Sequence, residues 1–440
     1  MITGIICEYN PFHNGHKYQI DKIKGNGSDY VIAAMSGNWV QRGAPAIIDK
    51  YERTTMALKN GVDLVLEIPT IFSTGAAADY AMGGVSLLDS LGCVDRLCFG
   101  CEAPNEEALD KVTDFMINNQ EQLAKEIADI MKEGNSYPKA RELALSKHFD
   151  EHVLEGLNKP NNILAIEYKK ALYAINSKIK TMAILRQGSQ YSDTSLNINS
   201  FSSATAIRES IFSSYDYVTN DDSYLHDEEP AVSTYMTLQG SAIRQAMSEP
   251  LSPILNHVPA NTYEILLERL GKTYPLMTQN FSRELGYKLI LHRAEGYEQF
   301  LDVSREISDK ICNNLNYFES FDQFCNLLKS KEITYARISR CLVHILLDIK
   351  KDSIPANKRV SYARVLGFRK DSEGIFKIIK ETSSIPLITK LADADKYLDS
   401  KDLAILGKDV QASHMYDLVA SCRFQNKQHI NEFTRQMIIV

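Results

Sequence analysis

Short apolar runs alternate with helical periodicity through the first hundred residues. Ile2–Cys7, Tyr30–Met35, Asp63–Ile68 and Arg96–Phe99 read as strands, with Thr181–Leu185 as a later one. Between them, Lys17–Lys24, Lys50–Asn60 and Gly75–Leu91 place apolar residues three and four apart and read as helices. Strand–helix alternation of this kind predicts right-handed crossovers and a parallel sheet covered by helices. The fold class expected is therefore α/β, a Rossmann-like sheet whose ligands bind at the carboxyl ends of the strands. Residues 105–178 are mostly helical in pattern. Residues 238–350 carry Leu, Ile and Phe stripes of a mainly helical region, and Val360–Phe368 and Leu387–Thr389 suggest strands of a small terminal α/β unit. The expected division is a catalytic domain over 1–213, an acidic linker over 214–237, a helical region over 238–350 and the small unit over 351–440.

At 440 residues, two or three domains are expected. No apolar run approaches the ~20 residues of a membrane span. The chain opens straight into a strand, without a basic segment and apolar core, so no secretion signal is expected. Eight cysteines without regular spacing suit a reducing cytoplasm. Cys98 and Cys101 form a C-x-x-C, but no second pair exists to complete a zinc site. The net charge of −7 hides an asymmetry. Between Lys329 and Lys370 stand eleven Lys and Arg and three acids, a local +8 that leaves −15 for the rest. A basic segment on an acidic body is the footprint of a polyanion partner, or a solvated helical face.

Candidate chemistry concentrates between the first strand and first helix, at Glu8-Tyr9-Asn10-Pro11-Phe12-His13-Asn14-Gly15-His16. Pro11 and Gly15 bracket a turn. His13 and His16, three apart, share one face of a helical first turn. A helix N-terminus offers free N–H groups and partial positive charge to a phosphate. Two imidazoles beside it make a place where a triphosphate could lose pyrophosphate; two solvent-facing histidines on a capped helix fit the same letters.

An H-x-G-H directly after the first strand resembles the start of nucleotidylyl-transferases and class I synthetases. The longer string is similar to that of one family, the bacterial tRNA(Met) cytidine acetate ligases. Met35–Gly43, Asp63–Pro69, Phe99-Gly100, Asn162–Tyr168 and Ser203–Arg208 match that family in order over about half the chain. The resemblance implies that ATP is held by Cys7, Glu8, Tyr9, Asn10, Pro11, Phe12, His13, Asn14, Gly15 and His16, with Gly100, Asn162, Arg186 and Gln187, and that His13 and His16 are catalytic. Ser192 stands where the family has histidine, so that position is not carried over. The implied reaction joins acetate to ATP as acetyl-adenylate, then transfers acetyl to the wobble cytidine of elongator tRNA(Met), giving N4-acetylcytidine. Mg2+ would accompany the triphosphate, with no ligand placed.

Several stretches support two readings. The loop Met35–Pro45, with Trp39, Gln41 and Arg42, is either a substrate loop or a loop packed down by its tryptophan. Asn162 is either an ATP contact or a residue heading a helix. Ser202, Ser203 and Thr205 suit phosphate oxygens or simple capping. The resemblance places RNA contacts in the basic region without assigning each one. The candidates are Arg337 and Arg340 on an amphipathic helix over Ile333–Ile349, with Lys358, Arg359, Arg364 and Arg369 around the following strand. Two other functions fit the residues: adenylyl transfer to a small phosphorylated substrate, and RNA binding by a protein with a vestigial nucleotide site.

Overall fold

The structure, a computed structural model, describes the chain apart from residues 103–105, 155, 158, 187–194, 198–200, 221–249 and 425–430. Its strands are β1 (Ile2–Cys7), β2 (Tyr30–Ser36), β3 (Trp39–Val40), β4 (Ala44–Pro45), β5 (Leu64–Ile68), β6 (Arg96–Cys101), β7 (Lys180–Leu185), β8 (Ala363–Phe368), β9 (Leu387–Ile388) and β10 (Ile438–Ile439). All but β3 and β4 belong to one sheet, ordered β10-β8-β5-β2-β1-β6-β7 with β9 on β8. From β5 to β7 every pairing is parallel, as the alternation predicts.

Alternate residues of the same strands feed two cores. Ile32, Ala34, Leu64, Leu66 and Phe99 face one, and Val31, Ala33, Met35, Val65 and Cys98 the other. Strands buried on both faces read as unbroken apolar runs, which is why the sequence shows them plainly. The chain builds outward from β1 through β2 to β5, then returns to the other side of β1 for β6 and β7. The order therefore reverses between β1 and β6, where a doubly wound sheet opens a crevice beyond its strand ends.

The C-terminal stretch holds the expected strands, and they extend this same sheet. β8 pairs antiparallel with β5, placing Arg364 opposite Glu67. The helix Ala204–Asn220 runs past residue 214, where a linker was expected, because buried Ile207 and Ile211 hold it on the second core. Most of the acidic stretch after it, including Asp221, Asp222 and Asp227, lies outside the described residues. The helical region includes Ser282–His292, Arg305–Asn314, Phe321–Leu328 and Tyr335–Leu346. The last begins after Thr334, whose hydroxyl accepts from the Arg337 amide at 3.3 Å. The long helix Ser400–Arg423 returns to the loop after β2, where Trp39 donates its indole N–H to the Ala412 carbonyl at 3.0 Å.

Candidate active site

The first helix, Asn14–Gly25, starts three residues before its apolar periodicity does, because His13 is its cap. His13 Nδ1 accepts from the Gly15 amide at 3.0 Å, and His16 Nδ1 accepts from the His13 amide at 3.2 Å. The imidazoles thus play the parts that Ser and Glu play in a capping box. Gly15 is required by the same geometry. A β-carbon there would lie 2.9 Å from His13 Cε1, so any side chain would push the cap away.

Those two bonds fix the protonation state. A ring nitrogen that accepts an amide proton carries none itself, so each imidazole holds its proton on Nε2. The rings stack, centroids 3.7 Å apart and planes at 22°, an arrangement hostile to two cations. Burial, then Arg186 and Arg208, push His13 down to about 3. Burial, then His13 and Arg186, push His16 down as well. Both residues line a cavity of about 360 Å³. Each therefore brings to that cavity a neutral N–H donor, held by the backbone.

The cavity opens at the predicted crevice, against Ile6 and Cys7 of β1, Phe99 and Gly100 of β6, and Ile184 and Leu185 of β7. Arg186, Arg208 and Arg42 line it; Glu8 is the only carboxylate among its described lining residues. Gly100 sits against the Arg186 side chain. Arg208 is tied in by donating to the Asn10 carbonyl at 2.8 Å and to Thr205 Oγ1 at 3.1 Å. Tyr80 and Tyr168 complete an aromatic wall.

Of the residues expected from the sequence, Cys7, Glu8, Tyr9, Asn10, His13, Gly15, His16, Gly100 and Arg186 meet at this cavity. Pro11, Phe12, Asn14 and Asn162 do not line it. Phe12 is fully buried, packed edge-on to Tyr9. Asn14 donates instead to the Asn256 and His257 carbonyls, at 2.9 and 3.0 Å. Asn162 is the third residue of the helix Pro160–Ala174, not its cap. Its amide joins two loops, accepting from the Glu102 N–H and donating to the Gly156 carbonyl, each at 2.8 Å. Asn161, beside it, is the one that faces the cavity. Gln187 lies outside the described residues.

Trp39 is also not in the cavity. It is 1% exposed, edge-on to Phe281, so it packs the loop down and leaves Gln41 and Arg42 at the rim. Sequence reasoning missed Arg53. This fully buried guanidinium donates to the carbonyls of Glu8 at 2.5 Å, Ser36 at 3.1 Å and Ile48 at 3.1 Å, and to that of Gly37. It thereby holds the carboxyl ends of β1 and β2 together. Nothing in an ordinary amphipathic helix, Lys50–Lys59, marks it out.

The basic region divides. Arg364 is 5% exposed, paired with Glu67 at 2.8 Å and Glu432 at 2.5 Å beside the buried Lys50 ammonium. As an RNA contact it is corrected: its charge is neutralised inside the fold. Arg369 pairs with Asp371, and Arg340 is half-buried on Asp302 at 2.8 Å. Arg337, Lys358 and Arg359 are exposed. This region abuts the cavity rim twice. Ser339 donates to the Gly43 carbonyl at 2.6 Å, just after Gln41 and Arg42. Gly43 has φ +74, and a β-carbon there would fall 2.4 Å from the Arg340 nitrogen. Lys358 pairs at 3.2 Å with Asp79, on the helix Ala77–Ser90 that brings Ala77 and Tyr80 to the cavity.

Comparison with known proteins points one way. The family described as HIGH Nucleotidyl Transferase matches residues 1–431. The tRNA(Met) cytidine acetate ligase of Clostridium perfringens is 35% identical over 432 residues, 95% of each chain. That of a Thermoanaerobacter species is 36% identical over 420 residues, again 95% of each. Two crystal structures of Thermotoga maritima TmcAL superpose over this whole chain and 99% of their own. The apo form has a TM-score of 0.84 at 28% identity, and the form bound with alpha-thio ATP 0.82 at 27%.

Proposed function

Because the chain belongs to the HIGH nucleotidyl transferase family, we propose that it works as a tRNA(Met) cytidine acetate ligase, as its relatives are named. It activates acetate with ATP and passes the acetyl group to a cytidine of tRNA(Met). The observation that carries the reading is the stacked pair His13 and His16, neutral and fixed by backbone amides at the crevice between β1 and β6.

In the first step an acetate oxygen attacks the α-phosphorus, and negative charge grows on the α-phosphate and the departing pyrophosphate. Preorganised donors at those oxygens supply the catalysis. The Nε2–H groups of His13 and His16, the helix N-terminus and the Arg186 guanidinium fit that role. In the second step the exocyclic amine of the wobble cytidine of elongator tRNA(Met) attacks the acetyl carbonyl and AMP leaves. Delivery of an unpaired anticodon base to this cavity is supported by the two places where the basic region meets its rim. Of the candidates named from the sequence, Arg337, Lys358 and Arg359 are exposed.

Mg2+ commonly travels with a triphosphate through one or two carboxylates and the phosphates themselves. Among the described residues no group of three His, Cys, Asp or Glu could hold a metal ion. Among the described residues the donor set does not build a protein cage. Action on tRNA(Met) implies work in the cytoplasm. Among the described residues no helix is long and apolar enough to cross a membrane.

The test is incubation with ATP, labelled acetate and bulk tRNA. Label should appear in tRNA(Met) as N4-acetylcytidine and depend on both ATP and acetate. Label absent from RNA, with adenylate moving to a small phosphorylated acceptor, would overturn the reading.

A further inference from the structure

Glu8 does not suit the cavity it lines. The first-step ligands are a triphosphate and a carboxylate, both anions, and three arginines and two imidazole donors face the same space. A carboxylate among them repels the phosphates and the acetate. It is also firmly held. Glu8 follows β1 directly, its carbonyl is bound by Arg53, and its Oε1 accepts from the Gln41 amide at 3.0 Å. Among the described residues no hydrogen bond reaches Oε2. Gln41 belongs to the loop whose Gly43 rests on the helix Tyr335–Leu346, so the carboxylate lies on the side of the cavity that the basic region approaches.

In the first step the adenine amine, the ribose hydroxyls or an accompanying Mg2+ could meet a carboxylate; the second step brings another such group, from the side on which Glu8 lies. Cytosine presents an exocyclic N4 amine, two N–H donors, and Glu is a natural acceptor for it. We propose that Glu8 Oε2 receives the N4 amine of the target cytidine and takes its proton during acetyl transfer, which makes it a catalytic residue and a base-specificity residue at once. The assignment rests on the ligase reading above. The N4 lone pair forms the C–N bond to the acetyl carbon. The bond from that carbon to the phosphate oxygen breaks, and its electron pair leaves on AMP. The proton released from N4 passes to the Glu8 carboxylate, then to water. The same contact excludes uridine, whose O4 is an acceptor and would face the carboxylate lone pairs.

Glu8→Gln is the informative variant, because its amide oxygen can still accept from Gln41 and keep the loop in place. Transfer of acetyl from preformed acetyl-adenylate to tRNA(Met), in a single turnover, should fall by ~10²–10⁴-fold, the usual worth of a positioned general base. Transfer should fall much more steeply than acetate-dependent pyrophosphate exchange does. Glu8→Asp, which keeps the charge but shortens its reach, should recover part of the transfer rate. The binding preference for a tRNA(Met) transcript bearing cytidine over one bearing uridine at the target position should shrink in Glu8→Gln, since an amide can turn to donate to O4. A purely structural role would not move that preference. Exchange falling as steeply as transfer, or needing more Mg2+ in the variant, would make Glu8 an ATP or metal ligand and overturn the proposal. Unchanged transfer would do the same. A wild-type chain that exchanges pyrophosphate but never acetylates tRNA would defeat the ligase reading and this assignment together.

Discussion

The histidine cap makes the protein's stability depend on pH in a defined window. His13 titrates at about 3 in the fold, against an ordinary 6.5 when the chain is unfolded. Between those values the unfolded state binds a proton that the native state refuses. Stability therefore rises with pH across that range, is complete above about 6.5, and is lost as pH falls towards 3. Each pH unit costs roughly 1.4 kcal/mol once the unfolded imidazole is charged, so at pH 5 His13 alone should cost about 2 kcal/mol. The residue is 4% exposed, so solvent does little to soften the effect. Urea unfolding at pH 7 and pH 5 measures it, with His13→Asn as the reference. Asn keeps an acceptor for the Gly15 amide but cannot titrate, and the ionisable groups that do not touch His13 cancel in the difference. The wild type should lose about 2 kcal/mol more than the variant. Equal losses would mean that the ring charges freely in the fold, and the cavity would then not hold two neutral Nε2–H donors.

His13→Ala and His16→Ala should each slow acetate-dependent pyrophosphate exchange by ~10²–10³-fold, the loss expected for one transition-state donor, while filter binding of tRNA(Met) stays near wild type. Replacing Arg337, Lys358 and Arg359 together by Ala should weaken tRNA binding and lower its salt slope by ~0.7–0.9 for each phosphate these cations neutralise, while exchange continues; an unchanged slope would make these cations a solvated face. Arg364→Ala should instead destabilise the fold by ~3–5 kcal/mol, because it leaves Glu67 and Glu432 inside with Lys50 as their one remaining cation among the described residues, as a lowered melting temperature would report.

The sequence made the sheet legible because strands buried on both faces leave long apolar runs, and the first turn was legible through the longer string around H-x-G-H and its resemblance to one family, since the four letters alone also fit a solvent-facing pair. It did not separate Arg364 from its neighbours. Counting charges along a segment says nothing about depth, and Arg364 belongs to the same +8 run as exposed Lys358 and Arg359. A signal was nonetheless present. An arginine inside an otherwise apolar strand needs a buried acid, and Glu67 in Leu64–Ile68 is the matching anomaly. Trp39 left two readings open because an aromatic near glycines suits a ligand contact as well as packing, and the partners that decide it, Ala412 and Phe281, lie hundreds of residues away. Arg53 was invisible for a related reason. Its partners are backbone carbonyls, which carry no residue identity.

The pairing of β8 with β5 bears on how the protein emerges from the ribosome. β5 is complete after residue 68, but the strand that covers its outer edge arrives about 300 residues later. At ~5–20 residues per second, that edge waits for about 15–60 s of synthesis. Through that interval the growing chain displays an open, apolar strand edge, the kind that invites pairing with another chain. Lys50 and Glu67 wait about as long for Arg364 and longer still for Glu432. Slow elongation or crowded polysomes would therefore favour aggregation of the nascent chain, and a holdase that covers the first hundred residues would protect it.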